Sequence, residues 1–192
     1  LLALRGDLPE GGMPEGHLPH ADSLVRLIRR WESSRVARLA AGRLAVGVAC
    51  YPSGHAESAS PDEDFDVLLA KQRLGADFAI TQLFFDAEDY VRFAERARLA
   101  GVRIPLIPGI MPMTSRARVE RMCQLSGLDG PKAVLDQLAA ATSPEEEKEI
   151  GMQITARLAQ SVLNAGADGL HIYTHNNPDI TTDLLNRIGV TP

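Results

Sequence analysis

The chain has 192 residues, 45% of them hydrophobic and 23% charged, with a formal net charge of −5. This is the composition of a globular protein, which excludes a disordered segment. The chain has only two cysteines, which excludes a disulfide scaffold. The chain has no basic stripe and no uncharged apolar run of ~18 residues, which argues against nucleic acid and membranes as partners. We therefore expect a single soluble, cytoplasmic domain over residues 1–192. We expect no metal site, because no His, Cys and carboxylate set has metal-ligand spacing.

Segments typical of strands and of helices alternate along the chain. In order they are strand 1–4, helix 21–33, strand 44–50, helix 61–74, strand 78–85, helix 87–100, strand 104–107, short helices 115–124 and 131–140, a long helix 144–164, strand 170–173 and a last helix 178–188. Two helices begin at a capping box followed by proline, Ser60-Pro61-Asp62-Glu63 and Ser143-Pro144-Glu145-Glu146. This alternation predicts five βα units and a parallel sheet with right-handed crossovers.

Five βα units fit two α/β architectures, a complete doubly wound sheet or five eighths of a (β/α)8 TIM barrel. The length favours the doubly wound sheet, since barrels usually need about 250 residues. The last strand favours the barrel, because His171 and Tyr173 share one face and Leu170 and Ile172 the other. A doubly wound sheet would have to cover the imidazole and the phenol with helices.

Polar clusters follow every predicted strand, at the end where barrel active sites are built. They are Arg5-Gly6-Asp7, the segment from Tyr51 to His55, Thr81-Gln82, the segment from Pro108 to Pro112, and His175-Asn176-Asn177. Taken singly, each cluster also has an ordinary interpretation. Arg5 and Asp7 suit a loop ion pair, His55 a surface residue, Lys71 an exposed helix lysine and Cys50 a small core residue.

Five segments carry a resemblance to a known family. They are Leu4-Arg5-Gly6-Asp7-Leu8-Pro9, Tyr51-Pro52 with His55, Ile80-Thr81-Gln82-Leu83-Phe84-Phe85-Asp86, Ile107-Pro108-Gly109-Ile110-Met111-Pro112 and Gly169-Leu170-His171-Ile172-Tyr173-Thr174. In order and spacing they resemble methylenetetrahydrofolate reductase. The resemblance implies a TIM barrel of which this chain supplies about the last five βα units. It also implies reduction of 5,10-methylenetetrahydrofolate to 5-methyltetrahydrofolate, in one-carbon metabolism and methionine biosynthesis, with FAD as cofactor and NAD(P)H as hydride donor.

The resemblance also implies which residues form the site. Those expected to bind FAD are Arg5, Gly6, Asp7, Ala21, Tyr51, His55, Asp64 and Lys71. Asp7 would tune hydride transfer by its charge, and Lys71 would pair with the pyrophosphate. Gln82 would bind the folate and the nicotinamide in turn. Arg118 stands where the family commonly has a folate-binding glutamine, and Asn177 where many members have an arginine that binds the folate tail; we expect Arg118 to supply that cation.

The same resemblance bears on what surrounds this chain. The general-acid glutamate and the first three βα units are expected upstream of Leu1, and the protein is expected to form a homo-oligomer. Alone, the 192 residues would expose long apolar sheet edges, so we expect them to be poorly soluble. Two alternatives stay open: a non-catalytic barrel remnant that binds flavin or folate, and a relative of the reductase that works without flavin.

Overall fold

The computed structural model describes residues 1–6, 9–39, 42–55 and 58–190. Within them it is an α/β structure with seven α-helices and parallel strand pairs, as the alternation predicted. The chain divides into two compact units. The first comprises 1–81 and 96–106, and the second comprises 82–95 and 107–192. In the described part of the chain, no helix is both long and apolar enough to cross a membrane.

The first unit is built on a four-stranded sheet with the order β1-β2-β3-β4. Its elements are β1 (Leu2–Ala3), α1 (Ala21–Ser33), a 3-10 helix (Val36–Leu39), β2 (Gly47–Cys50), α2 (Pro61–Arg73), β3 (Phe78–Thr81) and the first residue of β4 (Leu106–Ile107), whose second residue falls in the second unit. The β1–β2 and β2–β3 pairs are parallel. Val48 and Ala79 of the sheet and Val25 of α1 have no exposed surface, and they form the core with Leu68 of α2.

The second unit pairs two short parallel strands and surrounds them with helices. After α3 (Ala87–Ala100), which begins in this unit, its elements are β5 (Gly109–Ile110), α4 (Arg116–Ser126), α5 (Lys132–Ala139), α6 (Pro144–Asn164), β6 (His171–Ile172) and α7 (Pro178–Arg187). Gly109 pairs with His171 and Ile110 with Ile172. Helix α6 packs against both α5 and α7. Because β5 and β6 are parallel, the chain leaves both strands at the same end of the pair.

Helices lie within a few residues of the predicted bounds, whereas strands are shorter than predicted. The second strand begins at Gly47 instead of residue 44, because the amide of Val46 donates to the Asp77 carboxylate over 2.8 Å instead of to a neighbouring strand. The third ends at Thr81, after which the amide of Leu83 donates to the Gln82 side chain. The fourth stops before Pro108, which has no amide hydrogen, and β5 was not predicted.

A single arginine ties three segments of the first unit together. The Arg29 guanidinium of α1 has five N–H donors, and all five are used. Two donate to the carbonyl oxygen of Gly75, one to the carbonyl oxygen of Leu44, and one each to the carboxylates of Glu32 and Asp77. The pKa of Asp77 is lowered, since the amide of Val46 and the Arg29 guanidinium outweigh the effect of burial. This network fixes α1 against the segments that enter β2 and β3.

Candidate functional site

The loop after β2 brings together the predicted residues Tyr51 and His55. Their rings meet edge to face, with centroids 4.5 Å apart. Gly54 turns the loop in the left-handed region at a φ of +87°. Asp64 of α2 holds the loop from the other side: one carboxylate oxygen accepts from the His55 amide over 3.0 Å, and the other accepts from the Ser58 hydroxyl over 2.6 Å. Asp64 therefore positions the loop that presents the two rings.

Lys71 is buried, which corrects the expectation of an exposed helix lysine. Helix α2 packs against β2, and the Lys71 side chain, 7% exposed, points its ammonium at the carbonyl oxygen of Ala49, 3.1 Å away. Burial lowers the pKa of Lys71, and the nearby Cys50, Asp22 and Asp64 oppose this effect. An ammonium has three donors, and in the described part of the chain one of them has a partner. The site thus holds a buried cation with donors to spare.

The remaining predicted FAD residues lie at the start of the first unit. Arg5 is half-buried. Gly6 has a φ of +79° with open space around it, so its backbone conformation is what favours glycine there. Ala21 is the first residue of α1, and the N-cap residue before it, His20, makes no side-chain capping bond. Asp7 lies outside the described residues, and its role stays a prediction.

Arg118 stands out in the second unit because part of its side chain is buried without a partner. It is the third residue of α4, and its backbone amide donates to the hydroxyl of the capping residue Ser115 over 3.3 Å. Its buried Nε makes no hydrogen bond to any described residue. A buried donor without an acceptor costs about 1–3 kcal/mol. The group is therefore one that an incoming anion or carbonyl oxygen would satisfy.

Asn177 has a structural task, which bears on its predicted contact with the folate tail. It is the N-cap of α7, where its side-chain oxygen accepts from the Ile180 amide over 3.2 Å. The two residues before it, His175 and Asn176, lie in the left-handed region at φ +49° and +58°. Helices α4 and α7 each follow one of the paired strands β5 and β6. Arg118 and Asn177 are thus placed at the starts of helices that follow the same end of this strand pair.

Gln82, the third predicted substrate residue, directly follows β3. It is half-buried, and its side-chain oxygen accepts from the Leu83 amide over 2.9 Å. Those predicted FAD residues that the structure describes fall in the first unit, and the three predicted substrate residues fall in the second. Among the described residues, no group of three His, Cys, Asp or Glu side chains is arranged to hold a metal ion.

His171 and Tyr173 form a second pair of aromatic rings that was not among the predicted site residues. Their centroids are 4.7 Å apart at an interplanar angle of 81°. Both residues are half-buried, and burial lowers the pKa of His171, which favours the neutral imidazole. The alternation along the last strand predicted that the two share a face, and this is confirmed. That alternation, and the place of both residues in the segment from Gly169 to Thr174, are signals in the sequence that could have added them to the site.

Comparisons with known proteins identify the family of the chain. A family model described as methylenetetrahydrofolate reductase matches residues 1–189. The chain is 33% identical over 193 residues to a probable methylenetetrahydrofolate reductase (NADPH) of Caenorhabditis elegans, covering 99% of this chain and 28% of that protein. It is 30% identical over 194 residues to the 5,10-methylenetetrahydrofolate reductase of Escherichia coli (strain K12), covering 100% of this chain and 61% of that protein.

Among solved structures, the chain is similar to an uncharacterized protein from Clostridium thermocellum that binds two copies of 5-methyl-5,6,7,8-tetrahydrofolic acid. The TM-score is 0.50 at 15% identity, over 77% of this chain and 54% of that one. A likeness at this level of identity bears on the fold alone.

The chain spans less than a third of the nematode relative and about three fifths of the bacterial one.

Proposed function

The chain belongs to the methylenetetrahydrofolate reductase family, and on that premise we propose that it supplies part of an enzyme that reduces 5,10-methylenetetrahydrofolate to 5-methyltetrahydrofolate. The observation that carries the proposal is the family match, which runs from residue 1 to residue 189. NAD(P)H is the proposed hydride donor and FAD the proposed cofactor. The reaction belongs to one-carbon metabolism and methionine biosynthesis, in the cytoplasm, and the enzyme is proposed to be a homo-oligomer.

The proposed architecture is a TIM barrel to which this chain contributes about five βα units. The parallel β1–β2, β2–β3 and β5–β6 pairs and the alternation with helices support it. In barrels of this kind the catalytic residues follow the carboxyl ends of the strands, and Arg5, Tyr51, Gln82 and Asn177 each follow a strand in the sequence. The general acid is proposed to be a glutamate that this chain does not contain.

The residues of the first unit fit the binding of FAD. The buried Lys71 ammonium has donors to spare, which suits a pyrophosphate. The Tyr51 and His55 rings offer flat surfaces on a loop that Asp64 holds, and Ala21 lies at the start of α1. Arg5, Gly6 and Asp7 complete the proposed set. When bound, FAD supplies the two-electron chemistry that side chains lack.

The residues of the second unit are proposed to bind the folate. The carboxamide of Gln82 offers both a donor and an acceptor, which suits the polar edges of the folate and of the nicotinamide in turn. The side-chain oxygen of Asn177 caps α7, so an anionic tail would find no positive charge there. The unpartnered Arg118 Nε is the donor proposed to meet the tail carboxylate. Charge-assisted bonds of this kind are about twice as strong as neutral ones.

A visible absorption spectrum of the natural gene product, purified without added cofactor, tests the proposal. We expect flavin bands that bleach with NADH or NADPH under anaerobic conditions and return when methylenetetrahydrofolate is added. A colourless protein that FAD cannot reconstitute would contradict the flavin assignments. It would favour the remnant that binds folate or the flavin-independent relative.

A variant of Lys71 and a control variant on the same helix, α2, test the contact with FAD. We expect Lys71→Gln to lose FAD on gel filtration, because the buried cation is gone. Arg73→Gln, at an exposed position two residues along α2, should retain FAD like the wild type. Equal retention by both variants would remove Lys71 from the site. A thermal melt by circular dichroism checks that both variants are folded.

A further inference from the structure

One face of α6 contacts the segment that joins β5 to α4 and holds it in place. The face consists of Glu147, Gly151 and Thr155, which are four residues apart and therefore lie above one another on the helix. The joining segment, residues 111–115, begins with three buried residues, 111–113. This segment and the first turn of α4 lead directly from β5 to Arg118.

The Thr155 hydroxyl makes the central contact. Thr155 has no exposed surface, and its Oγ1 accepts a hydrogen bond from the Met113 amide over 3.0 Å. The same hydroxyl donates to the carbonyl oxygen of Gly151 over 2.8 Å. Met113 is also fully buried, so each partner depends on the other. A buried amide that loses its acceptor costs free energy. The Met113 backbone is therefore held where its amide can donate to Thr155.

Gly151 and Glu147 hold the segment on either side of this bond. A Cβ atom at position 151 would lie 1.5 Å from the carbonyl oxygen of Met113, so the close approach of backbone to helix requires glycine. One turn earlier, the Glu147 carboxylate accepts from the amide of Arg116 over 2.7 Å. The backbone is therefore held from Met113 to the first residue of α4, two residues before Arg118.

We propose that Thr155, with Gly151 and Glu147, positions Arg118 so that its guanidinium meets the carboxylate of the folate tail. This inference rests on the proposed function. The contacts on α6 fix the start of α4 before any ligand arrives, and the buried Arg118 Nε is left without a partner among the described residues. Because the backbone that carries Arg118 is already held in place, less of the chain has to be ordered when a ligand binds, which lowers the entropy lost on binding. Thr155 and Glu147 are thus positioning residues.

Steady-state kinetics of the natural gene product with two substrates test the proposal. One substrate is methylenetetrahydrofolate with its glutamyl tail, and the other is an analogue without the glutamyl group. The variants are Thr155→Val, which removes the hydroxyl at constant volume, and Thr155→Ser, which keeps it. Glu147→Ala, which removes the acceptor for the Arg116 amide, is compared with Glu145→Ala, at an exposed glutamate in the same turn of α6.

For Arg118→Ala we expect the KM for the complete substrate to rise about 10-fold or more, the loss of one charge-assisted hydrogen bond. For Thr155→Val we expect a rise of about 3- to 10-fold, because a misplaced group forfeits part of that bond. For Thr155→Val, the KM for the analogue and the kcat for each substrate should change less than about 2-fold. Thr155→Ser should restore the wild-type KM, and Thr155→Val should add nothing to Arg118→Ala.

A structural role alone would lower the melting temperature of Thr155→Val and leave the ratio of the two KM values unchanged. That result, or equal KM values of the wild type for the two substrates, would overturn the inference and leave the proposed function standing. A wild type that turns over neither substrate would overturn both. If Thr155→Val does not fold, Glu147→Ala decides, with about a 2- to 3-fold rise in the KM for the complete substrate expected against no rise for Glu145→Ala.

Discussion

Replacing Arg29 with lysine should destabilise the first unit far more than the retained positive charge suggests. Lysine carries three donors on one nitrogen and cannot fork, so at least two of the five hydrogen bonds are lost. The carbonyl oxygens of Leu44 and Gly75 would then lose partners in a region where the Arg29 side chain is 16% exposed. Each loss costs about 1–3 kcal/mol, which gives about 2–6 kcal/mol in the free energy of unfolding for the two.

Urea unfolding followed by circular dichroism measures this change. Arg30→Lys, at an exposed position on the same helix, is the control and should change the free energy by no more than about 0.5 kcal/mol. The slope of the unfolding curve should be the same for both variants, since the surface exposed on unfolding is unchanged. If Arg29→Lys shifted the midpoint no further than Arg30→Lys, the five hydrogen bonds would not stabilise the unit as argued.

Four further outcomes are expected. Gly151→Ala should lose at least about 3 kcal/mol in urea unfolding, because a methyl group would overlap the Met113 carbonyl; a loss under about 1 kcal/mol would contradict this close approach. Asn177→Ala should lower stability by about 1 kcal/mol in a thermal melt while the aspartate variant keeps the cap, and equal melting of the two would argue against capping. The Cys50 thiol, whose pKa burial raises to about 12, should resist alkylation at pH 8 until urea unfolds the protein, and rapid labelling of the folded protein would show that it is accessible. The pKa of Asp77 is lower in the folded protein than in the unfolded chain, where an aspartate has a pKa of about 4. The ionised carboxylate therefore stabilises the fold above about pH 4, and this stabilisation is lost as the pH falls toward the folded pKa. Urea midpoints measured over this range should fall less for Asp77→Asn than for the wild type.

Local signals were enough to predict the helices. Proline after serine at positions 60 and 143 marks two helix starts, and in the structure each serine hydroxyl accepts from the amide three residues on. Gly127, in the left-handed region, ends α4. These bonds join residues three or four apart, so the sequence carries them in full. The same holds for the shared face of His171 and Tyr173, which strand alternation dictates.

Contacts between distant residues were beyond prediction from one sequence. The Lys71 ammonium reaches Ala49, 22 residues away, and the chain itself gives no sign of this burial. Arg29 joins Gly75, 46 residues away, and its side chain looks like any other basic group of an amphipathic helix. The prediction for Asn177 covers only the substrate, although asparagine directly before Pro178 also fits an N-cap. Such pairings depend on how elements pack and not on their own sequences.

The hydrogen bond from Met113 to Thr155 joins residues 42 apart in sequence, so it closes a loop of the chain that contains α4 and α5. The entropy of closing a loop grows only with the logarithm of its length, about 0.6 kcal/mol for each doubling. A few residues inserted at the exposed Asp129–Gly130 turn between these helices would hardly change that entropy. Variation in length should therefore be tolerated in this turn. The same insertion between Met113 and Arg116 would disrupt the hydrogen bonds from this segment to α6.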